Sequence, residues 1–311
     1  MHPPDSIDPP DAASAIVATG LTRSFGSIRA LAGLSVNIPA GRIVGLVGRN
    51  GSGKSTFLRL CAGLLPPTSG TLQVLGYMPW GAGTEQRQAV AMVVQDQRLP
   101  AQQSLRNLAE IVAICYPTWS AARFAAICAR SQLDPQRPVG GFSGGQQRLA
   151  ACALTLATQA RLLLLDEPAA GLDPLARRDL VQVLLETVDD GATTVIYSTH
   201  LLVDLEQGAS HLLCFDGRPE LVAVAAFQEN VRRVQVILAD GMAWDAVPLP
   251  PLHGMNVLGP VASGVLIGSE SVLAPMQAMP GIRVIFTPVS LEEAYILSRR
   301  QTEETQHANR G

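Results

Sequence analysis

Apolar and polar positions change period several times along the chain, and each change marks an element. Ala15-Ile16-Val17-Ala18 is a first strand-like run, and Leu34-Ser35-Val36-Asn37-Ile38 alternates as a half-buried antiparallel strand does. Pro39-Ala40-Gly41 turns the chain into Ile43-Val44-Gly45-Leu46-Val47, a continuous apolar run of buried-strand type. After a glycine-rich loop, residues 56–64 carry apolar side chains at helical spacing with a glycine stop at Gly63. Residues 71–76, 91–94, 161–166 and 193–198 are further strand runs, and 175–189 reads as a helix. From Ser104 to about Leu133 the spacing is helical, which predicts Leu105, Leu108, Ile111, Val112 and Cys115 on one face. Tyr116-Pro117-Thr118-Trp119-Ser120 interrupts that stretch.

The pattern predicts an α/β fold, with a parallel core, a small antiparallel β patch at its start and a helical insertion over about 96–142. Residues 1–14, rich in Pro, Asp and Ala without periodicity, read as a disordered tail, so the main domain is expected over 15–222. Beyond it, 231–238, 264–268 and 282–286 read as strands and 271–278 as a short helix. Ser290 caps a helix whose first turn carries Glu292 and Glu293. Residues 223–311 are therefore expected to form a small α+β extension, with a polar tail after Arg300.

Composition narrows the chemistry. The 311 residues are 47% apolar, with a net charge of -3. No basic stripe of the kind that grips nucleic acid is present, so a nucleic-acid partner is not expected. The five cysteines form no C-x-x-C pair and lie mostly in apolar stretches, as buried thiols in a reducing compartment do. No apolar run is long enough to span a bilayer, and Met1-His2-Pro3-Pro4-Asp5 lacks the charged and apolar regions of a signal peptide. The expectation is a soluble cytoplasmic chain whose membrane role, if any, comes through a partner.

The loop between the first buried strand and its helix carries the strongest signal. Gly48-Arg49-Asn50-Gly51-Ser52-Gly53-Lys54-Ser55-Thr56 fits the phosphate-binding pattern G-x-x-x-x-G-K-[ST], with the strand before it and the helix after it that the pattern requires. Its glycines let backbone N–H groups converge on an anion, and the helix N-terminus adds its positive end. Lys54 would reach the β- and γ-phosphates and Ser55 would bind Mg²⁺. Lys54 is the only lysine in the chain, kept where a compact ammonium is needed and a planar guanidinium fits badly.

Other positions gain meaning from that loop. Asp166 and Glu167 end a buried strand, where the aspartate can hold Mg²⁺ and the glutamate can orient a water. Ser143 can cap the helix that opens at Phe142-Ser143-Gly144-Gly145-Gln146-Gln147-Arg148, and the glycine pair leaves N–H groups open to a second anion. Gln95 and His200 follow strand ends, the edge where α/β folds bind ligands; a solvated loop glutamine and a structural histidine are the plain alternatives. Phe25 reads either as a core ring or as a platform for a base.

Taken together, these motifs resemble the ATPase subunit of an ATP-binding-cassette transporter, over about residues 16–223 and in the family's order. Gly48–Thr56 resembles the Walker A loop and 162–166 the Walker B strand. Phe142–Arg148 resembles the cassette signature, usually written with leucine where Phe142 stands; other P-loop ATPases lack it. By this resemblance Gln95 is the Q-loop glutamine, preferred over Gln97 because it follows the strand directly. Ala170–Asp173 is the D-loop and His200 the switch histidine, and Phe25 takes the place of the aromatic that stacks on adenine, where tyrosine is common.

The resemblance implies hydrolysis of ATP with Mg²⁺ held by Ser55, Gln95 and Asp166, and with Glu167, His200, Lys54 and Gln95 in catalysis. It also implies ATP bound by Phe25, by Gly48–Thr56, and by Ser143, Gly144, Gly145 and Gln146 of a second ATPase subunit, expected to be an identical copy. Residues 116–119 and 200–206 look most like single-cassette bacterial exporters of drugs, peptides or antibiotics, which pair with separate integral membrane permease subunits at the inner face of the membrane. A soluble cassette ATPase uncoupled from transport is the alternative. Its chromosome-type members need long heptad arms and its translation-type members two cassettes, neither of which this sequence has. A regulatory module without turnover is disfavoured by the intact Glu167.

Overall fold

The computed structural model describes residues 14–188, 191–216, 219–247 and 252–298. The expected disordered tail falls on residues that, apart from Ser14, lie outside this description, as does the polar tail after Arg300. Ser14 opens strand β1 (Ser14–Phe25), opposite Pro39 of β2 (Ile28–Pro39). The two strands meet at a two-residue turn in which Gly26 has a φ of 58°, a left-handed conformation that glycine adopts without a Cβ clash.

The chain continues through β3 (Ile43–Val47), α1 (Lys54–Cys61), β4 (Ser69–Val74), α2 (Thr84–Gln88) and β5 (Val90–Val93). It then enters the helical insertion, α3 (Leu105–Cys115) and α4 (Ala121–Arg130), and returns along α5 (Gly144–Leu156) to β6 (Leu162–Asp166). Next come α6 (Pro174–Val188), β7 (Thr194–Ser198), β8 (His211–Cys214) and β9 (Glu220–Ala223). Strands β2-β1-β4 form an antiparallel sheet; the larger sheet has the order β5-β6-β7-β3-β8-β9, with β5 to β8 parallel. In this order β3 sits between β7 and β8, so the loop after it opens at the centre of the sheet's carboxyl edge.

Helix α1 is buried between the two sheets. Phe57, Leu58 and Leu60 join Ile16, Leu21, Leu34 and Ile38 of the antiparallel sheet and Val44, Leu46, Leu162, Leu164 and Ile196 of the parallel one in a single core cluster. The strands β3, β6 and β7 are buried at every position, which explains their unbroken apolar runs.

The expected apolar face of α3 is only half realised. Leu105 and Leu108 are buried, but Ile111 and Cys115 are exposed, because the helix is covered only over its first turns. The other four cysteines are buried. Burial pushes the Cys128 thiol up to about 11 and Cys152 to about 12, so neither is a ready nucleophile.

The described residues divide into two compact units, one ending at Leu221 and the other beginning at Val222. The second holds α7 (Val224–Asn230), β10 (Val231–Leu238), β11 (His253–Leu258), β12 (Val261–Ile267), α8 (Ala274–Gln277), β13 (Ile282–Pro288) and α9 (residues 291–298). Its antiparallel sheet has the order β11-β12-β10-β13, and Val234, Val236, Leu238, Leu266, Leu273 and Met276 make its own core. No helix among the described residues is long and apolar enough to cross a membrane.

Because each unit has its own apolar core, a chain ending after Ala223 is expected to keep a cooperative thermal unfolding transition. Calorimetry on the shortened protein checks this; loss of cooperativity would show that the first unit needs the second to fold.

Candidate functional site

The loop between β3 and α1 owes its shape to glycine. Gly48, Gly51 and Gly53 have φ values of 147°, 80° and 104°. A Cβ on Gly53 would stand 2.4 Å from the Ala30 carbonyl oxygen, so β2 presses on the loop where only glycine fits. Lys54, the buried first residue of α1, donates to the carbonyls of Gly48 at 2.6 Å and Arg49 at 2.9 Å. Burial lowers its pKa, opposed by the negative charges of Glu167, Asp216 and Asp166. The loop lysine and the carboxylates at the tip of β6 thus share one electrostatic neighbourhood.

A single hydroxyl organises those carboxylates. Ser198, fully buried at the end of β7, donates to Asp166 Oδ1 at 2.8 Å and accepts the Glu167 N–H at 2.9 Å. Glu167 has a φ of 47°, the left-handed region a non-glycine residue enters at a cost of roughly 1–3 kcal/mol. Its Oε2 lies 3.5 Å from His200 Nδ1. Asp166 Oδ2 is buried with no hydrogen-bond partner among the described residues, and so is the Ser52 hydroxyl. An unpartnered buried carboxylate oxygen beside a phosphate-type loop fits a bound divalent cation.

Ser143 caps α5 in a reciprocal box. Its hydroxyl accepts the Gln146 N–H at 3.2 Å, and its own N–H donates to Gln146 Oε1 at 3.1 Å. The Gln146 side chain is therefore turned onto the cap. Gly144 has nothing within 4 Å of a built Cβ, so the helix start is open. Ser143, Gly145 and Gln146 line a cavity of about 770 Å³ together with Gly171, Leu172 and Asp173. None of its lining residues belongs to the Gly48–Thr56 loop, so this cavity and the loop are separate places on the chain.

Gln95 and Gln97 are told apart by what holds them. The Gln97 side chain accepts the Val94 N–H at 3.3 Å and folds back on its own loop. The Gln95 carbonyl accepts from Arg148 Nη1, which joins α5 to the segment after β5. Phe25 stands half-exposed at the β1–β2 tip, with the Arg23 guanidinium 4.6 Å from its ring centre.

Sequence reasoning passed over three residues that shape this site: Arg148, Ser198 and Asp216. Asp216 Oδ1 accepts the Arg49 N–H at 2.9 Å and so anchors the loop's entry. It follows β8, a strand too short to stand out by period; reading it as a strand would have put Asp216 on the ligand edge. Arg148 stood in the motif quoted for α5, but its partner is a backbone carbonyl 53 residues away.

Comparison with known proteins bears on the same residues. A family model described as ABC transporter matches residues 31–170. The chain is 29% identical over 304 residues to the Nod factor export ATP-binding protein I of Rhizobium sp. (strain N33), spanning 93% of this chain and 99% of that protein. It is 32% identical over 215 residues to the daunorubicin/doxorubicin resistance ATP-binding protein DrrA of Streptomyces peucetius, spanning 65% and 62%. A solved ATP-binding subunit of an ABC transporter superposes with a TM-score of 0.63 at 23% identity, over 69% of this chain and 92% of that one, a likeness of fold.

Gly53→Ala is expected to lower stability by roughly 1–3 kcal/mol, through left-handed strain and the clash with Ala30. Denaturant unfolding measures it, with Gly51→Ala, which meets no neighbour, isolating the strain alone.

Proposed function

We propose, on the match of residues 31–170 to a model described as ABC transporter, that the chain hydrolyses ATP to power export through separately encoded membrane subunits. The observation that carries the reading is the convergence of Lys54, Asp166, Glu167 and His200 at the carboxyl edge of the parallel sheet. The names of the relatives, which speak of Nod factor export and of daunorubicin/doxorubicin resistance, support the direction of transport.

In this reading the loop amides of Gly48–Thr56 and the Lys54 ammonium bind the β- and γ-phosphates, and Phe25 stacks on the adenine. Lys54 exchanges its bonds to the Gly48 and Arg49 carbonyls for phosphate oxygens. Ser55, Asp166 and Gln95 would hold Mg²⁺, which would supply neutralisation of charge on the phosphates. Glu167 accepts a hydrogen bond from the attacking water and polarises it, and His200 contacts the γ-phosphate. Glu167's strained backbone aims its carboxylate, since the Ser198 hydroxyl fixes the Glu167 N–H beneath it. ATP on one copy is completed by Ser143, Gly144, Gly145 and Gln146 of a second, so two chains enclose two nucleotides under two-fold symmetry. Gln146 would act through the cap it makes with Ser143. The assembly works at the inner face of the membrane, on its permease partners.

Lys54→Ala is expected to keep the fold and lose most Mg·ATP affinity, because the side chain bonds only its own loop's carbonyls; calorimetric titration checks it. Glu167→Gln tests the mechanism. The amide keeps the shape but cannot take up the water's proton, so hydrolysis should fall roughly 10²–10⁴-fold while ATP still binds. Blocked turnover should trap the closed pair, giving a monomer without nucleotide and a dimer with Mg·ATP by light scattering. Adding Ser143→Arg should abolish that dimer without affecting ATP binding. Wild-type turnover in Glu167→Gln would overturn the catalytic assignment. A monomer at saturating ATP, even with the membrane subunits present, would overturn the paired site.

A further inference from the structure

Asp204 is the one buried carboxylate besides Asp166 among the described residues, and nothing in the reaction above uses it. A buried carboxylate carries a large desolvation cost and is kept where its partners specify a geometry. Its partners here are specific. Asp204 Oδ2 accepts from the Tyr197 hydroxyl at 3.3 Å and faces the Thr199 hydroxyl at 3.4 Å, while Oδ1 lies 3.7 Å from Arg177 Nε. Burial pushes its pKa up; the charges of Arg177 and His200 and the two hydroxyls oppose that shift.

These contacts bracket His200 on both sides. Tyr197 and Thr199 lie just before it. The Thr199 hydroxyl accepts the Leu201 N–H at 2.9 Å just after it, and the Asp204 N–H closes the turn on the Leu201 carbonyl at 3.2 Å. The next residue, Leu205, is packed so tightly on β3 that a Cβ on Gly45 would stand 2.3 Å from its Cδ1. The His200 ring itself is more than half exposed, and its Nδ1 lies 3.5 Å from Glu167 Oε2. Its position is thus inherited from the turn. Arg177 brings in a second element: it lies on the first turn of α6, where its N–H bonds the Asp173 carbonyl, and Asp173 Oδ1 caps the helix by accepting the Leu175 and Ala176 N–H groups at 3.0 Å.

We infer that Asp204 is a positioning residue for hydrolysis: with Tyr197, Thr199 and Arg177 it locks the turn that presents His200 to Glu167 and references that turn to the start of α6. The inference rests on the role proposed for His200. Asp204 does not touch the nucleotide; it sets the chemical step and leaves binding alone.

The test uses the purified full chain as wild type, Asp204→Asn, His200→Ala and the double variant, with steady-state and single-turnover ATP hydrolysis. Asp204→Asn keeps the size and an acceptor oxygen but drops the charge that faces Arg177. The expected result is a fall of roughly 10- to 100-fold in kcat, the scale of a misplaced catalytic group. The KM for Mg·ATP should stay within about two-fold, as for an interaction made in the transition state. In the His200→Ala background Asp204→Asn should add no further loss, because Asp204 acts through His200. An equal further loss there, a fall confined to KM, or an unchanged kcat in Asp204→Asn would each overturn the inference. His200→Ala turning over like wild type would instead overturn the role of His200 itself. Should Asp204→Asn fail to fold, Thr199→Val cuts the turn's hydroxyl links while keeping its shape, and the same comparison decides.

Discussion

One buried hydroxyl holds the reaction edge together. Ser198 bonds both Asp166 and Glu167, residues of a neighbouring strand tip, so the ends of β6 and β7 are fixed to each other at side-chain level beyond their backbone pairing. That bond has consequences in both directions. It satisfies one oxygen of Asp166 and leaves the other, buried, without a hydrogen-bond partner among the described residues. It also satisfies the N–H of Glu167 in a left-handed conformation that the residue would not adopt in a free chain. The strain is offset by a strand buried at all five positions, which the tip cannot leave without exposing β6.

The phosphate-type loop depends on a different constraint, the close approach of backbones. β2 stands against Gly53, Phe215 against Gly48, and Asp216 takes the Arg49 N–H. Helix α1 cannot shift to relieve any of these contacts, because Phe57 and Leu58 are enclosed between two sheets. Loop geometry is therefore a product of core packing. The single lysine sits at the junction, buried and surrounded by three acidic groups, where an ammonium is neutralised by its surroundings yet free to exchange carbonyl partners for a more charged ligand.

Much of this was legible in the sequence because buried parallel strands and glycine-dependent loops leave strong patterns. The strand at Ile43–Val47, the strand at Leu162–Asp166 and the cap at Ser143 stand where the pattern puts them. What the pattern hid has physical causes. β8 and β9 are four residues each, too short to establish a period. The α3 face predicted as apolar is partly exposed, because periodicity reports what a face could bury and does not report what covers it. Ser198, Asp204 and Asp216 are ordinary polar residues in sequence; their roles come from tertiary contacts at separations of 5 to 167 residues. Gln95 is favoured over Gln97 by its place directly after the strand, and the fold adds only that the Gln97 side chain turns back on the Val94 N–H.

The cavity at Ser143 shares no lining residue with the Gly48–Thr56 loop, and symmetry bears on how the two would work together in the proposed pair. If the Ser143 cleft of one copy closes on the glycine loop of another, one such contact leaves an unmatched loop and an unmatched cleft. A head-to-tail contact repeated without rotation would build an open filament. A two-fold axis makes the same contact serve twice, so both loops and both clefts are used and the assembly ends at two chains. The residues that border the Ser143 cleft include Asp173, which also starts α6 and so touches the element that Arg177 ties to Asp204. Approach of a second copy would therefore press on the helix to which the His200 turn is fastened. Hydrolysis and pairing would be linked by contacts inside each chain, with no element having to move far.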